Sequence, residues 1–206
     1  MMSFKNRKRT AFLIYFVILG LAPTATWGQG NASRPQTEDS KPPVKFKVAD
    51  GALELSATGA WSQVEPSFNM IEAEFKIPRV DQDKDQADGR LTVMGSGGSV
   101  QQNIERWYGQ FVMPDGSPTE RAAKLDEFKV GEVEVHYVDI TGTYLDSGSG
   151  GPFGPKTERP DYRMLAAILV TPDNGNYFLK FYGPTATVTA NEAAFKELVR
   201  SVRIVD

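Results

Sequence analysis

Residues 164–182 read MLAAILVTPDNGNYFLKFY and contain two apolar segments separated by a turn signal. The first segment, Met164 to Val170, is apolar throughout, which is typical of a central strand that is covered on both faces. Asp173-Asn174-Gly175 has the composition of a hairpin turn and leads into a second strand-like segment, Tyr177 to Tyr182. The stretch therefore predicts two antiparallel strands joined by a tight turn.

Alternation of apolar and polar residues predicts further strands on the N-terminal side of this hairpin. The clearest is Ile71 to Ile77, where Ala73 and Phe75 alternate with charged residues until Pro78 ends the pattern. Because every second side chain points the same way, one face of this strand is apolar and the other is charged. Similar segments are Val44 to Val48, Leu53 to Leu55, Arg90 to Met94, Lys124 to Val130 and Val133 to Tyr144.

Two segments have the period of an amphipathic helix instead. The first apolar stripe runs from Val100 to Phe111 and the second from Phe195 to Val202. Hairpin-connected strands and two such helices predict the α+β class, with an antiparallel β-sheet and both helices packed on one face of it. A capping-box pair precedes each helix: Ser99 with Gln102, and Thr189 with Glu192.

The N-terminus has the three-part order of a secretory signal. Four basic residues lie among the first ten, Ala11 to Ala22 are uncharged and apolar, and small and polar residues follow, including Ala25, Thr26 and Gly28. The apolar run of 12 residues is shorter than the roughly 20 that span a membrane, so cleavage is predicted, with an uncleaved anchor as the alternative. The predicted organisation is a signal peptide at 1–28, a flexible polar linker at 29–43 and a single domain at 44–206.

The residue composition excludes several classes of function. The sequence has no cysteine, which excludes disulfides, thiolate nucleophiles, iron–sulfur clusters and cysteine-bound zinc. The first 28 residues hold four basic and no acidic residues, so the mature chain keeps 19 basic against 26 acidic residues, a net charge of −7. Nucleic-acid binding needs clustered lysine and arginine, and no such function is predicted.

Histidine chemistry is limited to one residue, His136. A Ser-His-Asp site would need it as the base, but Asp139 lies three positions further on a predicted strand and therefore points to the opposite face. The nucleophile motif G-x-S-x-G is missing from the sequence, and one histidine without cysteine does not form a histidine-rich zinc centre. We interpret His136 as a structural or surface residue.

Two pairs of glutamates keep a hydrolytic alternative open. Glu72 and Glu74, and likewise Glu132 and Glu134, are two residues apart on predicted strands and are expected to share a face. Glycosidases use two carboxyl groups about 5–10 Å apart, a distance that such neighbours satisfy by strand geometry alone. A solvated sheet face is the simpler interpretation, and a carboxylate-dependent hydrolase of envelope glycans is the alternative.

The candidate for a metal site is an acidic loop whose carboxylates recur at every second or third position. As an EF-hand it fails twice, because Gln86 replaces the glycine and Thr92 replaces the glutamate that the motif requires. A calcium-stabilised structural domain is therefore a second alternative, and no other cofactor is predicted. The carboxylates are those of Asp81, Asp83, Asp85 and Asp88.

Candidate contact residues cluster around a Gly/Pro-rich loop, residues 146–160. Phe153 lies within this loop, and Tyr144 and Tyr162 flank it, so these aromatic side chains are candidates for an exposed patch. Arg106 lies beside the apolar stripe of the first predicted helix and is a further candidate. These four residues are the predicted contacts with a ligand or partner.

Two segments carry a resemblance to a known family. Residues 97–111, GGSVQQNIERWYGQF, together with Pro114-Asp115-Gly116, resemble a family of uncharacterised exported bacterial proteins. The same holds for residues 162–167, YRMLAA, and for Tyr182-Gly183-Pro184, and the similarity covers about residues 45–203. The order of elements is also similar to the PsbP/Mog1-like group, in which helices pack on an antiparallel sheet and a C-terminal helix closes the fold. That resemblance implies an accessory or binding role rather than catalysis.

The leading hypothesis is an exported, non-enzymatic accessory or binding domain that acts in the periplasm or outside the cell. It depends on the missing nucleophile–base set, the scarcity of metal ligands and the mildly acidic composition. The predicted partner is a protein or another envelope component, with no nucleic acid and no membrane span after signal cleavage.

Overall fold

Strands make up most of the structure, a computed structural model that describes residues 41–84, 86–148 and 155–205. In chain order the strands are β1 Val44–Val48, β2 Leu53–Ala57, β3 Ser62–Val64, β4 Ala73–Ile77, β5 Gly89–Gly95, β6 Phe111–Val112, β7 Lys124–Val130, β8 Val133–Asp146, β9 Thr157–Val170, β10 Asn176–Pro184 and β11 Arg203–Ile204. The helices are α1 Val100–Tyr108, α2 Thr119–Ala122, α3 Thr185–Ala190 and α4 Glu192–Arg200, and Asp81–Asp83 form a 3-10 turn. The predicted signal peptide 1–28, linker residues 29–40, Asp85 and Phe153 lie outside the described residues.

The described strands form two antiparallel sheets. The larger sheet has the order β3-β4-β5-β10-β9-β8-β6, with β7 also paired to β8, and β1, β2 and β11 form the smaller one. The predicted hairpin is β9 and β10, at the centre of the larger sheet. Within the turn of this hairpin, the Thr171 N–H donates to Gly175 O at 3.1 Å. Gly175 has a φ of 71°, a conformation that glycine adopts without steric cost. The α+β class and the antiparallel sheet are confirmed.

The central strands β9 and β10 are apolar on both faces, as the uninterrupted run in the sequence predicts. Leu165 and Phe181 point to one side, which we call the closed face. Met164 and Phe178 point to the other side, which we call the cleft face. All four side chains are at most 3% exposed. Each face therefore needs a layer of its own to cover it.

The closed face is covered by α3, α4 and the smaller sheet. Phe195, Leu198 and Val199 of α4 are fully buried there, and the Phe195 ring centroid lies 5.9 Å from that of Phe181. Leu53 of β2 belongs to the same apolar cluster. The second apolar stripe predicted from the sequence is therefore the side of α4 that covers the closed face.

The cleft face is covered in part by α1, which buries Ile104 and Trp107 against it. The sequence pattern predicts both helices on one face, whereas the structure places α1 and α4 on opposite faces. A helical period identifies the apolar side of a helix but does not show which side of a sheet that helix covers. The apolar run at Met164 to Val170 carries this information, because it requires cover on both faces.

The Gly/Pro-rich loop is shorter than the predicted 146–160. β8 and β9 remain paired as far as Asp146 and Thr157. Their register shifts once, where Pro160 and Asp161 both lie opposite a single residue of β8. A bulge accommodates this proline because Pro160 has no N–H to donate to the ladder. Asp161 takes φ of 56° at the same place.

One of the two predicted capping boxes is present. At α1, Ser99 Oγ accepts from the Gln102 N–H at 3.2 Å and Gln102 Oε1 accepts from the Ser99 N–H at 3.1 Å. The second prediction is wrong, because Asn191 precedes α4 without capping it by a side-chain hydrogen bond. The Glu192 carboxylate instead accepts from Arg163 at 2.8 Å. A charged pair of this kind is stronger than a bond to a neutral backbone N–H.

Candidate functional site

A cleft of about 580 Å³ opens on the cleft face of the sheet. Strands β5 and β10 form its floor, α1 forms one wall, and residues 67–71, which precede β4, form the other. Asp146 to Gly148, at the start of the Gly/Pro-rich loop, close one end. Pockets for small molecules measure about 300–1,000 Å³, so the cleft has the size that a small organic ligand requires.

Lys180 lies in the floor of this cleft. It stands between Leu179 and Phe181 on β10, and strand alternation turns it away from them toward the cleft face. Its Nζ donates to Gln110 Oε1 and to Tyr144 Oη, the latter at 3.3 Å. The same Nζ lies 5.1 Å from the ring centroid of Tyr144 and 4.8 Å from that of Tyr182. Aromatic faces therefore take the place that a carboxylate usually has beside a lysine.

The electrostatic surroundings of Lys180 are unfavourable for its charge. Burial, followed by the charges of Arg90 and Arg106, lowers the pKa of Lys180 to about 7. Asp146 acts in the opposite direction but is too distant for an ion pair. Within the described ranges, no carboxylate oxygen lies within 4 Å of Lys180 Nζ. The floor of the cleft thus holds a lysine without a counter-ion.

Arg90, by contrast, is fixed by a carboxylate. Its Nε donates to Glu74 Oε1 at 2.7 Å and its Nη1 donates to Tyr182 Oη at 2.7 Å. Ser67 adds a hydrogen bond to Glu74 from its backbone N–H at 2.8 Å. Burial raises the pKa of Glu74, but the hydrogen bonds from Arg90 and Ser67 outweigh burial and lower it overall. Glu74 is therefore an ionised partner of Arg90, which leaves this pair without net charge.

Arg106 brings a second unpaired cation to the cleft. It lies in the last turn of α1, with its guanidinium carbon 6.0 Å from the ring centroid of Phe178. Trp107, the next residue, meets Phe178 edge-on at 5.4 Å. In the part of the chain that the structure describes, no carboxylate lies within 4 Å of the Arg106 guanidinium. Arg106 and Lys180 together give this cleft a positive character.

Aromatic rings form the end of the cleft near the Gly/Pro-rich loop. Tyr144 stacks on Tyr162 at 6.1 Å with nearly parallel planes, and it contacts Tyr182 at 5.0 Å. Burial raises the pKa of Tyr144 and, despite Arg90, that of Tyr182. Both phenols are therefore neutral at physiological pH and offer hydrogen bonds rather than negative charge.

The structure brings together two of the four predicted contact residues. Arg106 and Tyr144 both line the cleft. Tyr162 lies behind Tyr144 and is 6% exposed, so it supports the wall rather than forming the surface. Phe153 lies outside the described residues.

The acidic loop directs its carboxylates to separate partners. Asp83 Oδ2 accepts from the Thr187 N–H and hydroxyl, each at 2.6 Å, and ties the loop to α3. Asp88 pairs with Arg79 at 3.1 Å and Lys76 at 3.0 Å. Among the residues described, no group of three or more metal-ligating side chains is close enough to hold an ion. Asp81 begins the 3-10 turn, and Asp85 lies outside the description.

The predicted glutamate pairs are separated in the structure. Glu72 precedes β4 and accepts from the Ala49 N–H at 2.7 Å, beside the smaller sheet, whereas Glu74 lies within β4 and pairs with Arg90 on the cleft face. The strand begins only at Ala73, so its alternation does not extend to Glu72. This pair therefore does not supply the two converging carboxyl groups that the predicted hydrolase alternative requires.

The second glutamate pair is likewise divided, and it adjoins the single histidine. Glu134 Oε1 lies 2.9 Å from His136 Nε2, and Glu127 Oε1 lies 3.0 Å from Nδ1. Glu132 belongs to the turn between β7 and β8. Asp139 pairs with Arg163 on the closed face, away from His136, as strand alternation predicts.

Sequence reasoning did not find Lys180 or Tyr182, although the signal was present. In the segment Tyr177 to Tyr182, Lys180 is the single charged residue of an otherwise apolar strand. Alternation places it on the same side as Phe178 and Tyr182. A lone charge in a central strand must reach a polar partner or an opening, and here it reaches both.

No protein-family model matches the chain, and no curated protein is significantly similar to it in sequence. Solved structures with a similar fold include the cyanobacterial PsbP (CyanoP) of Synechocystis sp. PCC 6803, with 9% identity, a TM-score of 0.41 and coverage of 85% of this chain and 100% of CyanoP. The Ran-binding protein Mog1p of Saccharomyces cerevisiae has 11% identity, a TM-score of 0.46 and coverage of 82% and 97%. PA94 of Pseudomonas aeruginosa, a protein of unknown function, has 9% identity, a TM-score of 0.43 and coverage of 81% and 99%.

CyanoP and Mog1p, the two proteins for which the PsbP/Mog1-like group is named, are both among these neighbours. With identities of 9–11% and TM-scores of 0.41–0.46, the likeness concerns the arrangement of strands and helices and says nothing about function. None of the helices in the described residues combines the length and the apolar character that crossing a membrane requires.

Proposed function

We propose that this protein is an exported, non-enzymatic binding domain that acts in the periplasm or outside the cell, and that the cleft between α1 and the sheet is its binding site. Export is supported by the basic N-terminus and by the apolar run from Ala11 to Ala22. Binding is supported by the cleft itself, which combines a size suited to a small organic ligand with convergent polar and aromatic groups.

The observation that carries this proposal is the position of Lys180. Two hydrogen bonds and two aromatic rings hold Lys180 in the floor of the cleft, but no ion pair among the described residues offsets the desolvation of its charge. Such a residue is understandable where a ligand supplies the missing charge. The partner predicted from the sequence, an envelope component or a protein, is then the molecule that presents this ligand group.

Catalysis is less well supported by the same geometry. A hydrolase that works through carboxylates needs one acid with a raised pKa, whereas the pKa of Glu74 is lowered by its partners. His136 lies between two glutamates and outside the cleft lining. Among the described residues that line the cleft, Asp146 is the single carboxylate, whereas a carboxylate-dependent hydrolase needs two, so the cleft favours recognition over hydrolysis of this kind.

Export is tested by expressing the full chain with a C-terminal tag in a Gram-negative host and fractionating the cells. We expect the protein outside the cytoplasm, with a new N-terminus near Gln29. The control is Val17→Arg, which interrupts the apolar run and should retain the protein in the cytoplasm. Wild-type protein in the cytoplasm with an intact N-terminus would contradict export.

Binding is tested by nuclear magnetic resonance with a library of small organic fragments. Binders should shift the amide signals of cleft residues such as Met94, Arg106 and Phe178, while the spectra of the fragments stay unchanged over days. Conversion of any fragment would favour an enzyme, and a library without binders at the cleft would refute the proposed site.

A blocking variant and its matched control make this test specific. Ser147→Trp adds a large side chain at the rim of the cleft, and we expect it to abolish the shifts. Ser62→Trp places the same side chain on the exposed edge strand β3, away from the cleft lining, and should leave binding unchanged. Equal binding by both variants would place the ligand elsewhere.

A further inference from the structure

We infer that the ligand of this cleft is an amphipathic organic anion, whose acidic head group lies between Lys180 and Arg106 and whose apolar body lies against Phe68 and Met70. The inference rests on the proposed binding function and adds the chemical class of the ligand. A carboxylate, a sulfonate and a phosphate share the required chemistry, because each presents oxygen atoms with negative charge to ammonium and guanidinium donors.

The charge balance of the cleft calls for an anion. Arg90 is neutralised by Glu74, whereas Lys180 and Arg106 have no carboxylate within 4 Å in the described ranges. The acid at the cleft end, Asp146, accepts from the Gly148 N–H at 2.9 Å and from Arg159 at 3.4 Å, so it is already engaged. Two cations that face one cavity without counter-ions repel each other, and an anion between them removes this cost.

The positive character of the cleft contrasts with the composition of the mature chain. Its predicted net charge of −7 means that the protein as a whole repels anions. A site that gathers uncompensated cations in such a protein is a local feature rather than part of a basic surface. The concave shape also reduces the contact of Lys180 with water, which strengthens its interaction with an entering anion.

The apolar part of the ligand is indicated by the rim. Phe68 is 44% exposed and Met70 is 72% exposed, and both line the cleft. A small inorganic ion would leave these side chains in water, whereas an organic body would bury them at about 25 cal/mol per Å² of apolar surface. The cleft lining thus combines unpaired cations with exposed apolar side chains, which matches a molecule with an acidic end and an apolar end.

Two probes with the same ring system test this inference on the purified protein. 8-Anilinonaphthalene-1-sulfonate carries a sulfonate, and N-phenyl-1-naphthylamine has the same rings without it. Titrations followed by probe fluorescence at pH 6, where Lys180 is protonated, should show the sulfonate bound at least about tenfold more tightly, a difference of about 1.4 kcal/mol. Equal affinities would overturn the inference.

Matched lysine variants assign the effect to the cleft. Lys180→Met should weaken binding of the sulfonate about tenfold and leave the neutral probe unchanged. Lys196→Met makes the same substitution on the closed face, where Lys196 pairs with Glu192 at 2.6 Å, and should change neither. A similar loss in both variants, or none in Lys180→Met, would contradict the proposed head-group site.

Two further measurements keep the outcomes distinct. Arg106→Gln removes the other cation, which lies on the surface of α1, and should weaken binding of the sulfonate probe. Circular dichroism should show that the fold is unchanged. If the neutral probe binds as tightly as the sulfonate and Ser147→Trp abolishes both, the binding function stands and the anionic class fails. If neither probe binds, or Ser147→Trp has no effect on either, both proposals fail.

Discussion

Two cations on neighbouring central strands differ in a way that separates the two faces of the sheet. Arg163 of β9 points to the closed face, where Nε and Nη2 donate to the two oxygens of Asp139 at 2.9 Å each and Nη2 also donates to Glu192 at 2.8 Å. Lys180 of β10 points to the cleft face and has no carboxylate within 4 Å among the described residues. The same sheet thus holds one compensated and one uncompensated cation.

The difference separates a charge that the fold compensates from one that it does not. Arg163 connects β8, β9 and α4, and its side chain is 10% exposed, so its charge is satisfied by the fold itself. Lys180 is held by an amide, a phenol and two rings, none of which carries a negative charge. Removing one partner of the compensated pair would leave a poorly solvated charge unpaired, whereas Lys180 already bears the desolvation cost of its charge without an ion pair among the described residues.

The largest expected effect comes from breaking the compensated cation. Arg163→Met removes the two hydrogen bonds that hold the Asp139 carboxylate, whose side chain is 11% exposed and which keeps Lys124 at 3.9 Å, while Glu192 retains Lys196 at 2.6 Å. We expect a loss of about 4 kcal/mol in the free energy of unfolding, measured by urea denaturation at pH 7. The control is Arg159→Met, which removes an ion pair with Asp146 in which the arginine side chain is 46% exposed. That pair should contribute less than about 1 kcal/mol, and equal losses in the two variants would contradict the comparison.

The second effect concerns the uncompensated cation and depends on pH. Because the pKa of Lys180 is lowered to about 7 in the folded protein, the unfolded chain, with a lysine pKa near 10.4, binds more protons between these values. Stability should therefore rise with pH in this window and should not change further above it. At about 1.4 kcal/mol per pKa unit, a fully buried lysine with this pKa would raise the free energy of unfolding by about 5 kcal/mol across the window. We expect a rise of about 2 kcal/mol, because the side chain of Lys180 is half-buried.

The measurement compares urea denaturation of the wild type and of Lys180→Met at pH 6 and pH 10. The free energy of unfolding of the wild type, relative to that of Lys180→Met, should be larger at pH 10 than at pH 6. The reason is that the variant lacks the titrating lysine. Near Lys180, burial opposes the charge of Arg90 but its hydrogen bond to Glu74 raises the pKa of Arg90 overall, and burial keeps the pKa of Tyr144 above this range. Lys196→Met is the matched control and should show a constant difference, and a constant difference for Lys180→Met would refute the lowered pKa.

The sequence is sufficient to predict the elements of this fold but not the side on which each helix packs. Alternation and turn chemistry predict the β9–β10 hairpin, and periodicity with a capping box predicts α1. The position of α1 on the cleft face depends on long-range packing of Trp107 against Phe178, which no local pattern encodes. The capping prediction at Glu192 failed for the same reason, because Arg163 lies 29 positions away in sequence.

The site was predictable in part. Arg106 and Tyr144 were identified by their neighbours in sequence, a helix stripe and a loop, and both line the cleft. Lys180 was not, because the feature that distinguishes it, the lack of a carboxylate within 4 Å among the described residues, is a property of the folded surroundings. A single charge in an apolar strand is the pattern that marks such a residue for attention.

The smallest expected effect tests whether the two helices are held differently. Helix α4 has three fully buried apolar residues and no side-chain cap, whereas α1 covers an incomplete face and begins with the Ser99–Gln102 capping box. Ser99→Ala should therefore cost about 1 kcal/mol, with faster amide hydrogen exchange confined to α1 and no change in α4. Ser62→Ala, on the exposed edge of β3, is the control and should have no measurable effect. If exchange in α1 stays as slow as in the wild type, packing against the cleft face alone holds this helix, and the wall that carries Arg106 is as rigid as the closed face.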